Sequence, residues 1–123
     1  MIKKIIIIAD KKQPYIDSMW QVLEDHGYET LVAYDSLEGF NMTVAEKPDL
    51  VLIDALLSGV NGYQICSLLK FDIKYEDILV VILSEGDGNK YQQLANNSGA
   101  DGILGKPIDI NELIGIVQSL NLI

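Results

Sequence analysis

Pro48-Asp49-Leu50-Val51-Leu52-Ile53-Asp54 reads as a helix stop, a run of four apolar residues, and then a carboxylate. Apolar residues that do not alternate with polar ones predict a strand buried on both faces, Leu50 to Ile53, of the kind found in parallel sheets covered by helices on each side. Upstream, Leu37 to Ala45 predicts a helix closed by Pro48, which cannot continue one. Before it, Thr30 to Tyr34 predicts a strand. Ile5 to Ala9 is another β-branched run, followed by Asp10 and then a helix in which Pro14 suits the first turn. Ile16, Met19, Trp20 and Leu23 recur there at helical spacing, and Gly27 ends it.

Downstream the pattern repeats. Gly59 and Gly62 bracket a loop, and Tyr63 to Phe71 predicts a helix carrying Ile65, Leu68 and Leu69. Ile78 to Leu83 predicts a strand, the Gly86-Asp87-Gly88 turn leads to a polar helix from about Lys90 to Asn97, and Gly102 to Leu104 predicts a short strand. The last helix is expected from Asp109, which stands at capping-box spacing from Glu112, with Ile110, Leu113, Ile114 and Val117 on its apolar face. Five strands alternating with five helices imply an α/β fold with a parallel sheet covered on both sides. A chain of 123 residues without internal repeat or linker is expected to be one domain, 1–123, with no output domain attached.

Composition removes several classes of function. The longest apolar run, Ile5 to Ala9, is far short of the ~20 residues that cross a bilayer, and no signal peptide is evident. A net charge of −9 opposes direct contact with nucleic-acid phosphates. The single cysteine, Cys66, cannot form an internal disulfide, which fits a reducing cytoplasm. No glycine-rich loop follows the first strand, so nucleotide and flavin binding lack support.

In open α/β sheets, ligands bind beyond the carboxyl ends of the strands, where strand order reverses. Those positions hold Asp10 after the first strand, Asp54 after the third, Ser84 after the fourth and Lys106 after the fifth. The set is chemically coherent. Two carboxylates with a loop carbonyl form a hard oxygen site that suits Mg²⁺. A carboxylate can attack a phosphoryl group and carry it as an acyl phosphate, with an ammonium and a hydroxyl to meet its charge.

Pro48 to Asp54, with Gly62 eight residues further on, resembles the phosphoacceptor segment of bacterial response-regulator receivers. Ser98-Gly-Ala-Asp-Gly-Ile-Leu-Gly-Lys106-Pro107 resembles the last signature of the same family. The likeness runs through the whole chain in element order and spacing. It implies a doubly wound, flavodoxin-like sheet of order 2-1-3-4-5. Asp54 would be phosphoacceptor and metal ligand, Asp10 the second carboxylate ligand, and the Leu56 carbonyl a backbone ligand for Mg²⁺. Ser84 fills the hydroxyl position and Lys106 the lysine that pairs with the phosphoryl group, and the family's Lys-Pro peptide is usually cis. The implied partners are a sensor histidine kinase or phosphotransfer protein and a separate downstream protein target. The last helix and its neighbours would be a pairing surface for a homodimer. Self-phosphorylation and self-dephosphorylation would be weak, so the implied molecule is a switch and not primarily an enzyme.

The sequence departs from the family at several points. Ala9 stands where the first of two adjacent acids is usual, and Lys11 follows Asp10. Losing an outer carboxylate typically weakens metal binding by about 10- to 100-fold. Lys11 turned inward would reduce the negative charge further, whereas Lys11 and Lys12 facing water would leave it alone. Glu85, beside Ser84, can restore negative charge. Ile103 replaces the aromatic that often precedes the lysine by three residues, Ser58 replaces a common proline, and Asn61 takes a frequent Asp position. A second reading follows from these departures, a pseudo-receiver that docks on partners without phosphorylation. An unrelated α/β phosphatase with an aspartyl nucleophile is disfavoured because Leu56 stands where a second Asp is needed. Among the remaining residues, His26 is expected at a helix end on the surface, Cys66 in or beside the core, Trp20 against a helix face and Tyr91 on a solvated one.

Overall fold

β-Branched and leucine-rich runs form the five strands. A computed structural model describes residues 3–86 and 88–120; Asp87, in the expected Gly86–Gly88 turn, and the chain end at Ile123 lie outside them. The elements follow in the order β1 (Lys4–Ile8), α1 (Ile16–Asp25), β2 (Glu29–Ala33), α2 (Ser36–Glu46), β3 (Leu50–Asp54), α3 (Gly62–Lys70), β4 (Leu79–Ser84), α4 (Asn89–Asn97), β5 (Gly102–Gly105) and α5 (Ile110–Ser119). All four pairings are parallel, and the sheet order is β2-β1-β3-β4-β5. This is the α/β, doubly wound sheet read from the sequence.

The pleat divides the core in two. Ile5 and Ile7 of β1, with Leu50 and Leu52 of β3, pack against Met19 and Leu23 of α1 and Leu113 and Val117 of α5. Ile6 and Ile8, with Val51 and Ile53, point the other way onto Ile65, Cys66 and Leu69 of α3 and Ala95 of α4. With both faces covered, β1 from Ile5 and all of β3 are fully buried, which explains why neither alternates.

Helix ends differ from expectation in instructive ways. Pro14 lies in the turn before α1, which begins only at Ile16. Trp20 sits at the edge of the helix, 38 % exposed, with its indole N–H donating to the Thr30 carbonyl at 2.8 Å. Asp109 caps α5 by accepting from the Asn111 and Glu112 amides, whereas the reciprocal capping box belongs to Asn61 and Gln64 at the start of α3. His26 is the exposed C-cap of α1, and Cys66 is buried in α3.

Candidate functional site

The crossover direction reverses between β2 and β3, so the carboxyl ends of β1 and β3 flank the switch point. Asp54, the last residue of β3, lies there with no exposed side chain. Gly62 makes this possible from below, because a Cβ on it would collide with the Asp54 backbone carbonyl, so α3 can start only from glycine. Lys106 follows β5 and reaches across β4. Its ammonium lies 2.9 Å from Oδ1 and 2.8 Å from Oδ2 of Asp54, and 2.6 Å from Oε1 of Glu85. The Leu56 amide donates to Asp54 Oδ1 at 2.9 Å. Burial pulls the Lys106 ammonium down, but its hydrogen bonds to Asp54 and Glu85 and their charges more than offset this and leave its pKa raised. The Lys106–Pro107 peptide is cis.

Asp10 is half-buried just beyond β1, and the Ser58 hydroxyl lies 3.4 Å from its Oδ2. Ser84, fully buried at the end of β4, donates its hydroxyl to the Gly86 carbonyl and so braces its own loop. Lys11 and Lys12 are exposed, leaving Lys106 as the ammonium on Asp54. Ile103 is half-buried in β5 against the α3–α4 side of the core, and Tyr91 is half-buried with its ring against Gly86.

Sequence reasoning missed Tyr15. Its hydroxyl donates to Asp54 Oδ2, and its ring centroid lies 5.8 Å from the Lys106 ammonium. Desolvation, the hydrogen bond to Asp54 and the charges of Asp54, Glu85 and Asp10 all raise the phenol's pKa, so it stays a neutral donor. The only hint in the sequence was position, an aromatic in the loop that leaves the carboxyl end of β1.

A buried carboxylate paired with an ammonium can act as a nucleophile whose product charge is already met, once one of its oxygens is freed. The oxygen donors also suit Mg²⁺ in kind, since Asp10, Asp54 and the Leu56 carbonyl are hard ligands. Among the described residues no three Asp, Glu, His or Cys side chains gather closely enough to hold a metal by themselves. The residues therefore match the ion in chemistry, with one position on Asp54 taken by Tyr15.

Residues 6–118 match the profile of the response regulator receiver domain. The chain belongs to that family. The receiver is 33 % identical over 118 residues to the DNA-binding dual master transcriptional regulator RpaA of Synechocystis, a match covering 95 % of this chain and 48 % of that protein. It thus spans about half the length of that curated relative. The receiver domain of Francisella response regulator 1452 is 28 % identical with a TM-score of 0.85, covering 96 % of this chain and 95 % of that one. Chemotaxis response regulator CheY4 of Vibrio cholerae shares the fold, with a TM-score of 0.87 at 21 % identity over 98 % of this receiver and 99 % of that chain. Among the described residues no helix of the receiver is long and apolar enough to cross a membrane.

Proposed function

We propose that this receiver domain accepts a phosphoryl group on Asp54 and thereby switches its affinity for a protein partner. The observation that carries this is the Lys106 ammonium 2.8 Å from a carboxylate with no solvent exposure. In the transfer, a lone pair on an Asp54 oxygen forms the new O–P bond. The bond from phosphorus to the donor's leaving atom breaks, and its electron pair stays on that atom, which is then protonated. Lys106 meets the charge on the phosphoryl oxygens. Ser84 gives up the Gly86 carbonyl to donate to one of them, and this rearranges the β4–α4 loop. Asp10, Asp54 and the Leu56 carbonyl would hold Mg²⁺, which supplies further charge neutralisation when bound.

The donor is a sensor histidine kinase or phosphotransfer protein, and the recipient of the signal is a downstream protein target. Histidine phosphoramidates and small phosphodonors present the same phosphoryl chemistry to Asp54. Any turnover is self-dephosphorylation, so the role is that of a switch. The pseudo-receiver reading draws support from Ala9 and from the Tyr15 hydroxyl on Asp54, both of which work against phosphorylation.

Incubation with Mg²⁺ and acetyl phosphate, followed by intact-mass measurement, tests the proposal. A gain of one phosphoryl group that disappears in Asp54→Asn is the expected result. No gain from either acetyl phosphate or the cognate kinase would transfer the chain to the docking class.

A further inference from the structure

An ionised carboxylate has about four lone-pair positions. On Asp54 they are met by the Leu56 amide, by the Lys106 ammonium on both oxygens, and by the Tyr15 hydroxyl on Oδ2. This leaves no lone pair free for a cation or for attack on phosphorus. The Leu56 amide belongs to the chain leaving β3, and Lys106 is the charge partner that a phosphoryl group would keep. Tyr15 is the donor that can leave without disturbing either.

Its placement is specific. The Tyr15 main chain anchors the start of α1, with its carbonyl accepting from the Met19 amide at 3.0 Å and the Ser18 hydroxyl at 3.1 Å. The ring packs on the core side shared by α1 and α5, and the hydroxyl feels the carboxylates of Asp54, Glu85 and Asp10 together. A position where three carboxylate fields converge is one that a divalent cation would also seek. Here it holds a neutral phenol.

We propose that Tyr15 is a built-in competitor at the acceptor, its hydroxyl taking the Asp54 oxygen that a divalent cation needs, so that cation binding requires the phenol to be displaced. The proposal deepens the phosphoacceptor reading by naming what holds Asp54 closed. Its test does not depend on phosphorylation. The device is a single hydrogen bond to a charged group, strong enough to suppress weak loading and weak enough for a cation to break. The main-chain bonds by which Tyr15 anchors α1 do not involve its hydroxyl, so loss of the Asp54 contact leaves them in place.

Tyr15→Phe keeps the ring and removes only the hydroxyl. Mg²⁺ titration of the full chain without any phosphodonor, followed by the amide resonances of Asp54 to Leu57 and by calorimetry, should give a dissociation constant roughly 10-fold or more lower in Tyr15→Phe than in the unaltered chain. Tyr15→Leu, which also lacks the hydroxyl, should bind Mg²⁺ more tightly too and guards against a folding defect in one variant. Adding Asp54→Asn to either should erase the difference. Equal dissociation constants with and without the hydroxyl, or no Mg²⁺ binding by any of these proteins, would overturn the proposal. A chain whose Mg²⁺ affinity rises on loss of the hydroxyl but which takes no phosphoryl group from acetyl phosphate or a kinase would retain the competitor and lose the phosphoacceptor reading.

Discussion

The sheet carries a Lys–Asp pair at each end, and the two are built differently. At the amino end of the strands, Lys70 lies 2.9 Å from Asp101, donates to the Glu76 carbonyl at 2.8 Å and to the Ile78 carbonyl at 3.0 Å, and Asp101 accepts from the Val80 amide at 2.9 Å. Asp49 behaves likewise, accepting from the Lys4 amide at 2.8 Å where β1 begins. These carboxylates extend the main-chain ladder, so their amide partners, Val80 and Lys4, cannot leave without unravelling a strand. At the carboxyl end, Asp54 takes one nearby amide and otherwise depends on the side chains of Lys106 and Tyr15. Side-chain partners can swing away at the cost of a rotamer. The same ion-pair chemistry is therefore a staple at one end and a switchable contact at the other.

The largest effect that would break this comparison is on folding stability. Lys106→Met leaves Asp54, which has no exposure, as a buried carboxylate without its charge partner, and should cost about 3 kcal/mol, the lower end for breaking a buried pair. The retained Leu56 and Tyr15 hydrogen bonds keep it from costing more. Lys70→Met strands two carbonyls and a carboxylate that is 27 % exposed, and should cost about 1–2 kcal/mol. Urea unfolding of both variants measures the order. A larger loss at Lys70 would mean that the staple, not the buried site, dominates the electrostatics of the fold.

Second-site changes sharpen the contrast. Adding Asp54→Asn to Lys106→Met removes the unpaired charge and should restore roughly 2 kcal/mol. Adding Asp101→Asn to Lys70→Met should restore less than about 0.5 kcal/mol, because water already solvates that carboxylate. A double-mutant cycle by denaturant unfolding gives both couplings. Equal rescue at the two ends would remove the distinction.

What could be read from the sequence follows the same divide. The buried strands announced themselves because β1 and β3 are covered on both faces and need apolar residues without alternation. The strand-end residues Asp10, Asp54, Ser84 and Lys106 followed from topology alone, since the first three lie one step past an apolar run and Lys106 lies two steps past Leu104. Boundaries shifted by about a residue because pairing begins in the flanking polar positions, as at Lys4 and Glu29. Tyr15 was not legible, because its role depends on the path of the loop from Asp10 to Ile16, which no periodicity records. The Ser84 contact with Gly86 was hidden for the same reason, being a property of how the β4–α4 loop turns. The Asn61–Gln64 box, by contrast, is legible as spacing, an Asn three residues before a Gln at a helix start.

The smallest expected effect is alkaline, and it belongs to the switchable end. Lys106 has a raised pKa in the fold, so its contribution to stability is complete below the unfolded value near 10.5 and is lost as pH climbs through the higher folded value. Tyr15 acts in the same direction. In the unfolded chain its phenol ionises near pH 10, while in the fold burial and the Asp54 hydrogen bond keep it protonated. Above that pH the unfolded state binds fewer protons than the folded one, so stability must fall as pH rises. Urea midpoints compared at pH 9 and pH 11 should therefore drop in the unaltered chain and drop less in Tyr15→Phe. Absorbance at 295 nm supplies the independent readout. Tyr15→Phe should leave the native tyrosinate signal between pH 9 and 11 unchanged, yet lower the unfolded signal by one of six tyrosines. A native signal that shrinks with the substitution would mean that Tyr15 titrates like a free phenol and does not hold Asp54.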